Sequence, residues 1–91
     1  MGFEWDKAKS KANFMKHGID FDTAKVLWEI SHLEIPARNV DGEIRRALIA
    51  KLNGKYWLAV FTIRDDEIRI ISVRTARDDE RRAYEKYSSK S

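Results

Sequence analysis

The chain has 91 residues, which is enough for one domain with a single core and too short for a large cofactor-binding fold. Hydrophobic residues make up 43% and charged residues 36% of an otherwise proline-poor chain, a composition typical of an ordered globular protein. The lack of cysteine excludes disulfides, thiolate nucleophiles, zinc fingers and iron–sulfur sites. Because no apolar run approaches the roughly 18 residues of a membrane span and the N-terminal residues show no secretory signal, we expect a cytoplasmic protein.

The net charge of +3 is distributed unevenly along the chain. Residues 1–40 hold six Lys/Arg and six Asp/Glu, whereas residues 41–91 hold twelve and nine. Eight of the nine arginines lie in the second half. Since guanidinium groups suit bidentate phosphate contacts, this asymmetry indicates a polyanionic partner, and solvated arginines on a helix surface are the alternative explanation.

Helix signals come first along the chain. Asp6 can cap a helix at about 7–17, and Gly18 can end it in the left-handed conformation. Asp20 can cap a second helix at about 20–30. The apolar stripe of that helix consists of Phe21, Ala24, Leu27 and Trp28. We therefore expect a helical hairpin.

From His32 onward the apolar period changes to two. The alternation predicts strands at about 33–36, 44–52, 56–64 and 67–74, and Pro36 favours an edge position for the first of them. Asn53-Gly54 is a strong signal for a two-residue hairpin turn, and Asp65-Asp66 is a weaker one. The run Thr75-Ala76-Arg77-Asp78 is typical of a capping box that opens a last helix at about 76–87, followed by a frayed tail at 88–91.

These elements predict an α+β domain over residues 1–91, with the helical hairpin and then an antiparallel, twisted sheet of three to four strands and the C-terminal helix. Two-residue turns would pair Leu52 with Lys55 and Thr62 with Arg69. One sheet face would then be the core, with Ile44, Leu48, Ala50, Leu52, Trp57, Ala59, Phe61, Ile63, Ile68 and Ile70. The other face would be a half-polar basic surface with the central strip Ala47, Ile49, Leu58, Val60, Ile71 and Val73.

The same register places Arg45, Arg64 and Arg69 together on the second face. Like charges repel across a sheet, so either carboxylates such as Glu43 and Glu67 offset them or an anion binds there. Solvated arginines paired with those carboxylates are the alternative without function. Two further arginines, Arg74 and Arg77, follow where the last strand becomes the last helix.

The sequence gives little support for a metal site, for a histidine general base or for the motifs of other enzyme classes. His17 and His32 are the only histidines, and without cysteine they form no metal-ligand spacing, so we expect neither a metal nor a cofactor. His17 beside Gly18 suits a helix C-terminus better than a general base. Tyr84 fits either helix packing or a phenol that faces the substrate. Hydrolase, phosphate-loop and dinucleotide motifs are absent.

Several short segments, in order along nearly the whole chain, resemble the BrnT family of bacterial toxins. These segments are Phe3-Glu4-Trp5-Asp6, Lys9, Asn13, Lys16-His17-Gly18, Phe21, Ala24, Ile68-Arg69-Ile70-Ile71-Ser72-x-Arg74 and Glu80-Arg81-Arg82-x-Tyr84. The resemblance implies the toxin of a type II toxin–antitoxin pair, with a RelE-like fold and a ribonuclease activity that blocks translation. It also implies an antitoxin of the BrnA type, which carries the contacts to operator DNA and assembles a higher-order toxin–antitoxin complex.

The resemblance further implies roles for particular residues. Toxins with a RelE-like fold place basic groups on the sheet, an arginine near the end of the last strand, and often a tyrosine after it. The catalytic candidates are then Arg64, Arg69, Arg74 and Tyr84, with Arg77 as the alternative to Arg74 at the strand end. The candidates for RNA contact are Arg45, Lys51, Arg77 and His17.

Three functions remain open on the sequence alone. The first is a metal-independent endoribonuclease, since RNA supplies its own 2′-hydroxyl nucleophile and needs mainly positioning, proton transfer and cations around the phosphate. The second is an RNA- or ribosome-binding domain without catalysis, because no acid–base pair is evident. The third is a protein-interaction module that binds no nucleic acid.

Overall fold

A mixed sheet of five strands lies at the centre of the computed structural model, which describes residues 2–89. The strands are β1 (Phe3–Glu4), β2 (His32–Pro36), β3 (Arg46–Leu52), β4 (Lys55–Arg64) and β5 (Glu67–Thr75), in the spatial order β1-β5-β4-β3-β2. β1 runs parallel to β5, and the other neighbours are antiparallel. The α+β class is confirmed, but β1 makes the sheet mixed and larger than predicted. A strand of two residues has no alternation that sequence analysis could detect.

The turns between the long strands set the predicted register. Asn53 and Gly54 have φ values of 52° and 78°, and Asp65 and Asp66 have 52° and 63°. Positive φ at both central residues is what type I′ hairpin turns require. The predicted pairs Leu52–Lys55 and Thr62–Arg69 are both confirmed.

A β-bulge in β5 changes the register beyond these pairs. Phe61 pairs with Ile70 and Val60 pairs with Ser72, which leaves Ile71 without a partner in β4. The extra residue moves all later side chains of β5 to the opposite face of the sheet. Val73 therefore lies in the core beside Ala59, and its predicted place on the second face is wrong. By the same shift, Arg74 lies opposite Leu58 on that second face.

One face of the sheet packs against the N-terminal helices and is called the α1 face. The helices are α1 (Lys7–His17) and α2 (Phe21–Ala24), and a 3₁₀ turn (Lys25–Trp28) follows α2. The hairpin is thus only partly as predicted, since its second arm is a short α-helix continued by the 3₁₀ turn. The core residues on this side are Ile19, Phe21, Ala24, Leu27, Leu48, Ala50, Trp57, Ala59, Phe61, Ile68, Ile70 and Val73.

These helices cover only part of the α1 face. Ile44 and Ile63, both predicted as core residues, are 69% and 48% exposed. They lie before the start of β3 and near the end of β4, at the end of the sheet that holds the Asp65-Asp66 turn. Alternation of side chains identifies the face of a residue but not how far the covering layer extends.

Asn13 joins α1 to the outer edge of β5. Its side-chain amide donates to the backbone oxygen of Val73 at 2.9 Å and accepts from the backbone N–H of Val73 at 3.1 Å. It also donates to the carbonyl of Ile19 at 2.8 Å. Because β1 pairs with β5 only at Ile68 and Arg69, Asn13 takes the place of a strand partner further along this edge.

The second face packs against α3 (Asp78–Ser89) and is called the α3 face. Tyr84 covers Ala47, Ile49 and Leu58, and Ile49 and Leu58 are 0% and 2% exposed. The strip predicted as an open surface is therefore largely a second, smaller core. α3 begins two residues after the predicted start and includes Ser88 and Ser89. The rest of the predicted tail, Lys90 and Ser91, lies outside the described residues.

Within residues 2–89, none of the helices has the length and apolar character needed to cross a membrane.

Candidate functional site

Between β2 and β3 the chain forms a projecting hairpin, residues 37–45, here called the arm. Its tip is the pair Asp41-Gly42, with φ values of 50° and 77°. The N–H groups of Val40 and Glu43 each donate to the carbonyl of the other residue, at 3.2 and 2.9 Å. Ala37 N–H donates to the carbonyl of Arg45 at 3.1 Å and closes the base. Asp-Gly is a favoured sequence for such a tight turn, so the arm's own sequence favours its hairpin shape.

A cleft of about 380 Å³ lies between the arm and the α3 face, and this volume is in the range of ligand-binding pockets. Three arginines and one carboxylate line it together with aliphatic side chains. The lining residues are Ile35, Pro36, Ala37, Arg38, Val40, Arg45, Ala47, Leu58, Val60, Arg74 and Glu80. A basic, partly apolar cleft of this kind suits a phosphate with an attached sugar and base.

Arg74 and Glu80 form a bidentate ion pair in the wall of the cleft. Arg74 Nη1 donates to Glu80 Oε1 at 2.8 Å, and Nη2 donates to Oε2 at 2.9 Å. Both side chains are mostly buried, with relative exposures of 26% and 16%. The paired carboxylate raises the pKa of Arg74 further above its usual value, so the guanidinium remains charged.

The ion pair leaves one edge of the Arg74 guanidinium free. A guanidinium group has five N–H donors. Arg74 Nη1 uses both of its hydrogens, for Glu80 and for the carbonyl of Thr75, while Nη2 uses one for Glu80. Among the described residues, Nε–H and the second Nη2–H have no partner. These two hydrogens point in the same direction and match two oxygens of a phosphate.

Arg45 and Arg38 complete the cationic lining from the arm. Arg45 Nε donates to Glu43 Oε1 at 3.0 Å, which leaves its Nη1 and Nη2 without a partner in the described part of the chain. Arg38 is exposed, and its side chain has no ion pair within residues 2–89. The cleft therefore offers three cations whose donors are at least partly available.

Glu80 is fixed by three hydrogen bonds. Besides the two from Arg74, its Oε1 accepts the backbone N–H of Arg77 at 2.8 Å, which is the backward half of a capping box at the start of α3. The bonds from Arg74, together with the one from Arg77, hold the pKa of the Glu80 carboxyl below its usual range. A carboxylate with a lowered pKa is a weak proton acceptor, so this geometry suits an anchor for Arg74 better than a general base.

Arg64 and Arg69 lie on the α3 face but outside the cleft lining. Arg64 Nη2 lies 3.2 Å from Glu43 Oε2, and Arg69 Nη1 lies 3.3 Å from Glu4 Oε1. Glu43 thus offsets Arg45 and Arg64 as expected, whereas the partner of Arg69 is Glu4 and not Glu67. Arg74 is the fifth residue after Arg69 along β5, which is roughly 15 Å in an extended strand. Arg69 and Arg74 therefore do not lie side by side on the sheet, and the catalytic roles of Arg64 and Arg69 stay predictions.

Tyr84 and Lys51 belong to the packed end of the α3 face. The Tyr84 side chain is 8% exposed, and its hydroxyl donates to the carbonyl of Ser31 at 3.4 Å. Lys51 Nζ lies 5.3 Å from the ring centre of Tyr56, beyond the cleft. Of the two roles left open for Tyr84, these contacts favour packing, and its catalytic role stays a prediction.

His17 lies on the other side of the sheet. It is the last residue of α1, which packs on the α1 face, and Gly18 caps the helix with a φ of 81°. The sheet separates His17 from the cleft, so the two do not form one site, and contact of His17 with RNA stays a prediction. Arg77 stays near the cleft because its N–H binds Glu80. Within residues 2–89, no three His, Asp or Glu side chains converge as metal ligands would.

Two charged residues of the cleft, Arg38 and Glu80, were not among the predicted site residues. Arg38 is the single arginine of the first 40 residues, whereas the uneven distribution of arginines indicated a site built from the second half of the chain. Glu80 carries a local signal, because Glu three residues after a helix N-cap is typical of a capping box. The predicted box began at Thr75, whereas the box in the structure begins at Arg77.

Most of the chain is similar to one known protein family. The family model described as the ribonuclease toxin BrnT of type II toxin–antitoxin systems matches residues 5–80. No individual curated protein matches the chain. The family match covers the helices of the α1 face, all of β2 to β5, and both members of the Arg74–Glu80 pair. The chain therefore belongs to the BrnT family of ribonuclease toxins of type II toxin–antitoxin systems.

Proposed function

We propose that this toxin is a metal-independent endoribonuclease and that the cleft between the arm and the α3 face is where it cleaves RNA. The observation that carries this proposal is the Arg74 guanidinium, which Glu80 holds by one edge while Nε–H and Nη2–H stay available. Arg45, which also lines the cleft, presents a second guanidinium whose Nη1 and Nη2 are available within the described residues. Two fixed guanidinium groups can bind one phosphodiester from two sides.

The proposed reaction uses the nucleophile that RNA carries. The 2′-hydroxyl gives up its proton to solvent as its oxygen forms a bond to the adjacent phosphorus, and the bond from phosphorus to the 5′-oxygen breaks. The leaving 5′-oxygen takes up a proton from solvent, so the products are a 2′,3′-cyclic phosphate and a 5′-hydroxyl. Negative charge increases on the nonbridging oxygens as the phosphorane forms. Arg74 and Arg45 stabilise that charge because they are already oriented before the reaction begins.

The other residues of the cleft have supporting roles in this proposal. Glu80 fixes the orientation of Arg74, and Arg38 and Arg77 attract the flanking phosphates from the two sides of the cleft mouth. The aliphatic floor, with Leu58 and Val60, gives the ribose and base an apolar surface. Arg64 and Arg69 contribute positive charge along the path of the strand outside the cleft.

In the cell, cleavage of RNA in the cytoplasm would deplete messages and block translation. A cognate antitoxin of the BrnA type would neutralise the toxin by placing acidic side chains against Arg38, Arg45 and Arg74. Operator DNA would be bound by the antitoxin part of a higher-order complex. Charge attraction predicts that the association rate of the two proteins falls as salt increases.

The experiment that tests the proposal combines a cellular and a chemical measurement. Induced expression should arrest growth, with RNA fragmentation preceding the arrest. The purified chain should cleave RNA in excess chelator and leave 2′,3′-cyclic phosphate ends. Loss of cleavage that only a divalent metal restores, or products with 3′-hydroxyl ends, would contradict the mechanism. Arrest with intact RNA would indicate binding to RNA or the ribosome without cleavage, and normal growth would indicate an interaction module.

A further inference from the structure

The position of Arg45 in the cleft depends on the arm, because Arg45 is the last residue of that hairpin. The arm extends past the end of the paired part of β2 and β3, whose last pair is Pro36–Arg46. Backbone hydrogen bonds within the arm fix its internal shape but do not join it to the rest of the sheet. Contacts between the arm and β4 must therefore set its angle.

Glu43 makes such a contact with its two carboxylate oxygens. Oε1 accepts from Arg45 Nε at 3.0 Å, and Oε2 accepts from Arg64 Nη2 at 3.2 Å. Arg64 is the last residue of β4, so the carboxylate joins the arm to the sheet. Thr62 adds a second contact, since its hydroxyl donates to the carbonyl of Ile44 at 2.7 Å and the side chain is 5% exposed.

We propose that Glu43 is a positioning residue for the cleft. Arg64 holds the Glu43 carboxylate, and the carboxylate binds Nε of Arg45, so that Nη1 and Nη2 of Arg45 face the bound phosphate. This inference rests on the proposed function, because it assumes that Arg45 contacts the phosphate during RNA cleavage. The arrangement parallels the Arg74–Glu80 pair across the cleft. In each pair a carboxylate occupies one edge of a guanidinium and leaves another edge free.

The proposal gives Arg64 an indirect role. Arg64 lies outside the cleft lining, and its guanidinium contacts Glu43. Hydrogen bonds from Arg45, assisted by Arg64, also keep the pKa of the Glu43 carboxyl below its usual range, so that the link remains ionised near neutral pH. Loss of Arg64 would therefore act on cleavage through the orientation of Arg45.

The effects on stability and on the cleavage rate distinguish this positioning role from a purely structural one. The Arg64 side chain is 51% exposed and that of Glu43 is 30% exposed, and exposed ion pairs of this kind contribute little to stability. Misplacement of a group that contacts the transition state, in contrast, has a large effect on the reaction rate. Replacing Glu43 should thus slow cleavage while the melting temperature changes little.

A double-mutant cycle tests the proposal through the single-turnover rate of RNA cleavage by the full chain. Glu43→Gln and Arg64→Ala should each lower the rate about tenfold. In an Arg45→Ala background the same changes should lower it by less than about twofold, because the group they position is gone. Arg64→Lys should retain more activity than Arg64→Ala, since an ammonium group can still reach Oε2.

The matched control is Glu34→Gln. Glu34 forms an ion pair with Arg46 at 2.9 Å that is also partly exposed but lies outside the cleft, so its loss should leave the cleavage rate unchanged. Additive effects of Glu43→Gln and Arg45→Ala would overturn the positioning role while leaving the cleft assignment in place. An Arg45→Ala chain that cleaves RNA at the unaltered rate would overturn both.

Discussion

Arg74 and Glu80 come from the end of β5 and the first turn of α3, and their side chains meet end to end in two parallel hydrogen bonds of 2.8 and 2.9 Å. This pair exists because the bulge at Ile71 turns Arg74 onto the face that α3 covers. Without the bulge, Arg74 would point into the α1 face. One extra residue in a strand thereby places the cation that the proposed reaction needs.

The Arg74–Glu80 pair predicts a dependence of stability on acid pH. The pKa of Glu80 is lower in the folded chain than in the unfolded one, so its contribution to stability is present above the ordinary glutamate value of about 4.3. That contribution is lost as pH falls through the lowered folded value. Glu80→Gln should therefore reduce the free energy of unfolding at pH 7 by about 1–3 kcal/mol.

Denaturant unfolding at several pH values checks this prediction. The difference between the wild-type chain and Glu80→Gln should shrink as pH falls below about 4.3, because Glu80 of the unfolded chain takes up a proton there while that of the folded chain does so only at its lowered pKa. Glu43 shares the acid window, since its pKa is also lowered, so the variant should keep part of the dependence. A difference that stays constant down to acid pH would show that the ion pair adds nothing to stability.

Tyr84 should matter for stability and not for cleavage. Its ring packs on Ala47, Ile49 and Leu58, and the hydroxyl makes only a long hydrogen bond of 3.4 Å to the carbonyl of Ser31. Tyr84→Phe should keep the cleavage rate within about twofold of wild type, whereas Tyr84→Ala should cost about 3–5 kcal/mol of stability. A hundredfold slower reaction in a well-folded Tyr84→Phe chain would instead support the catalytic role that the resemblance implies.

Asn13 should be a strong determinant of folding. Asn13→Leu keeps a similar volume but leaves the N–H and carbonyl of Val73 and the carbonyl of Ile19 without their buried partner. Unsatisfied buried polar groups cost about 1–3 kcal/mol each, so we expect a loss of at least about 3 kcal/mol in the free energy of unfolding. Asn13→Asp keeps an acceptor for Val73 N–H but loses the donor to the carbonyls of Val73 and Ile19. It therefore separates the accepted hydrogen bond from the two donated ones. A change below about 1 kcal/mol in Asn13→Leu would contradict this account.

Local signals predicted the strands and their turns. Asn53-Gly54 fixes the pairing of Leu52 with Lys55 because few other residues adopt positive φ at both turn positions. Asp65-Asp66 was a weaker signal, and yet both residues adopt the left-handed conformation and produce the predicted pairing of Thr62 with Arg69. Turn geometry acts over a few residues, which is why the sequence reveals it.

Nonlocal features were not predictable in the same way. β1 is paired with a strand near the other end of the chain, and no pattern within Phe3–Glu4 indicates that partner. The doubled Ile70-Ile71 is the one trace of the bulge, because two adjacent isoleucines interrupt the alternation. The cleft combines Arg38, Arg45, Arg74 and Glu80 from separate segments, so only two of its four charged residues were among the predicted site residues.

The most direct test of the central claim is the single-turnover rate at which the Arg74→Ala chain cleaves a defined RNA in excess chelator. We expect a rate at least about 100-fold below wild type at a temperature where circular dichroism shows the variant to be folded, because a preorganised donor to the transition state is lost. The melting temperature should fall as well, since Glu80 loses its bidentate partner. Arg82→Ala, which removes an exposed cation of α3, should weaken binding only modestly and reduce its salt dependence. An Arg74→Ala chain that cleaves RNA as fast as the Arg82→Ala chain would contradict the assignment of the cleft as the site of cleavage.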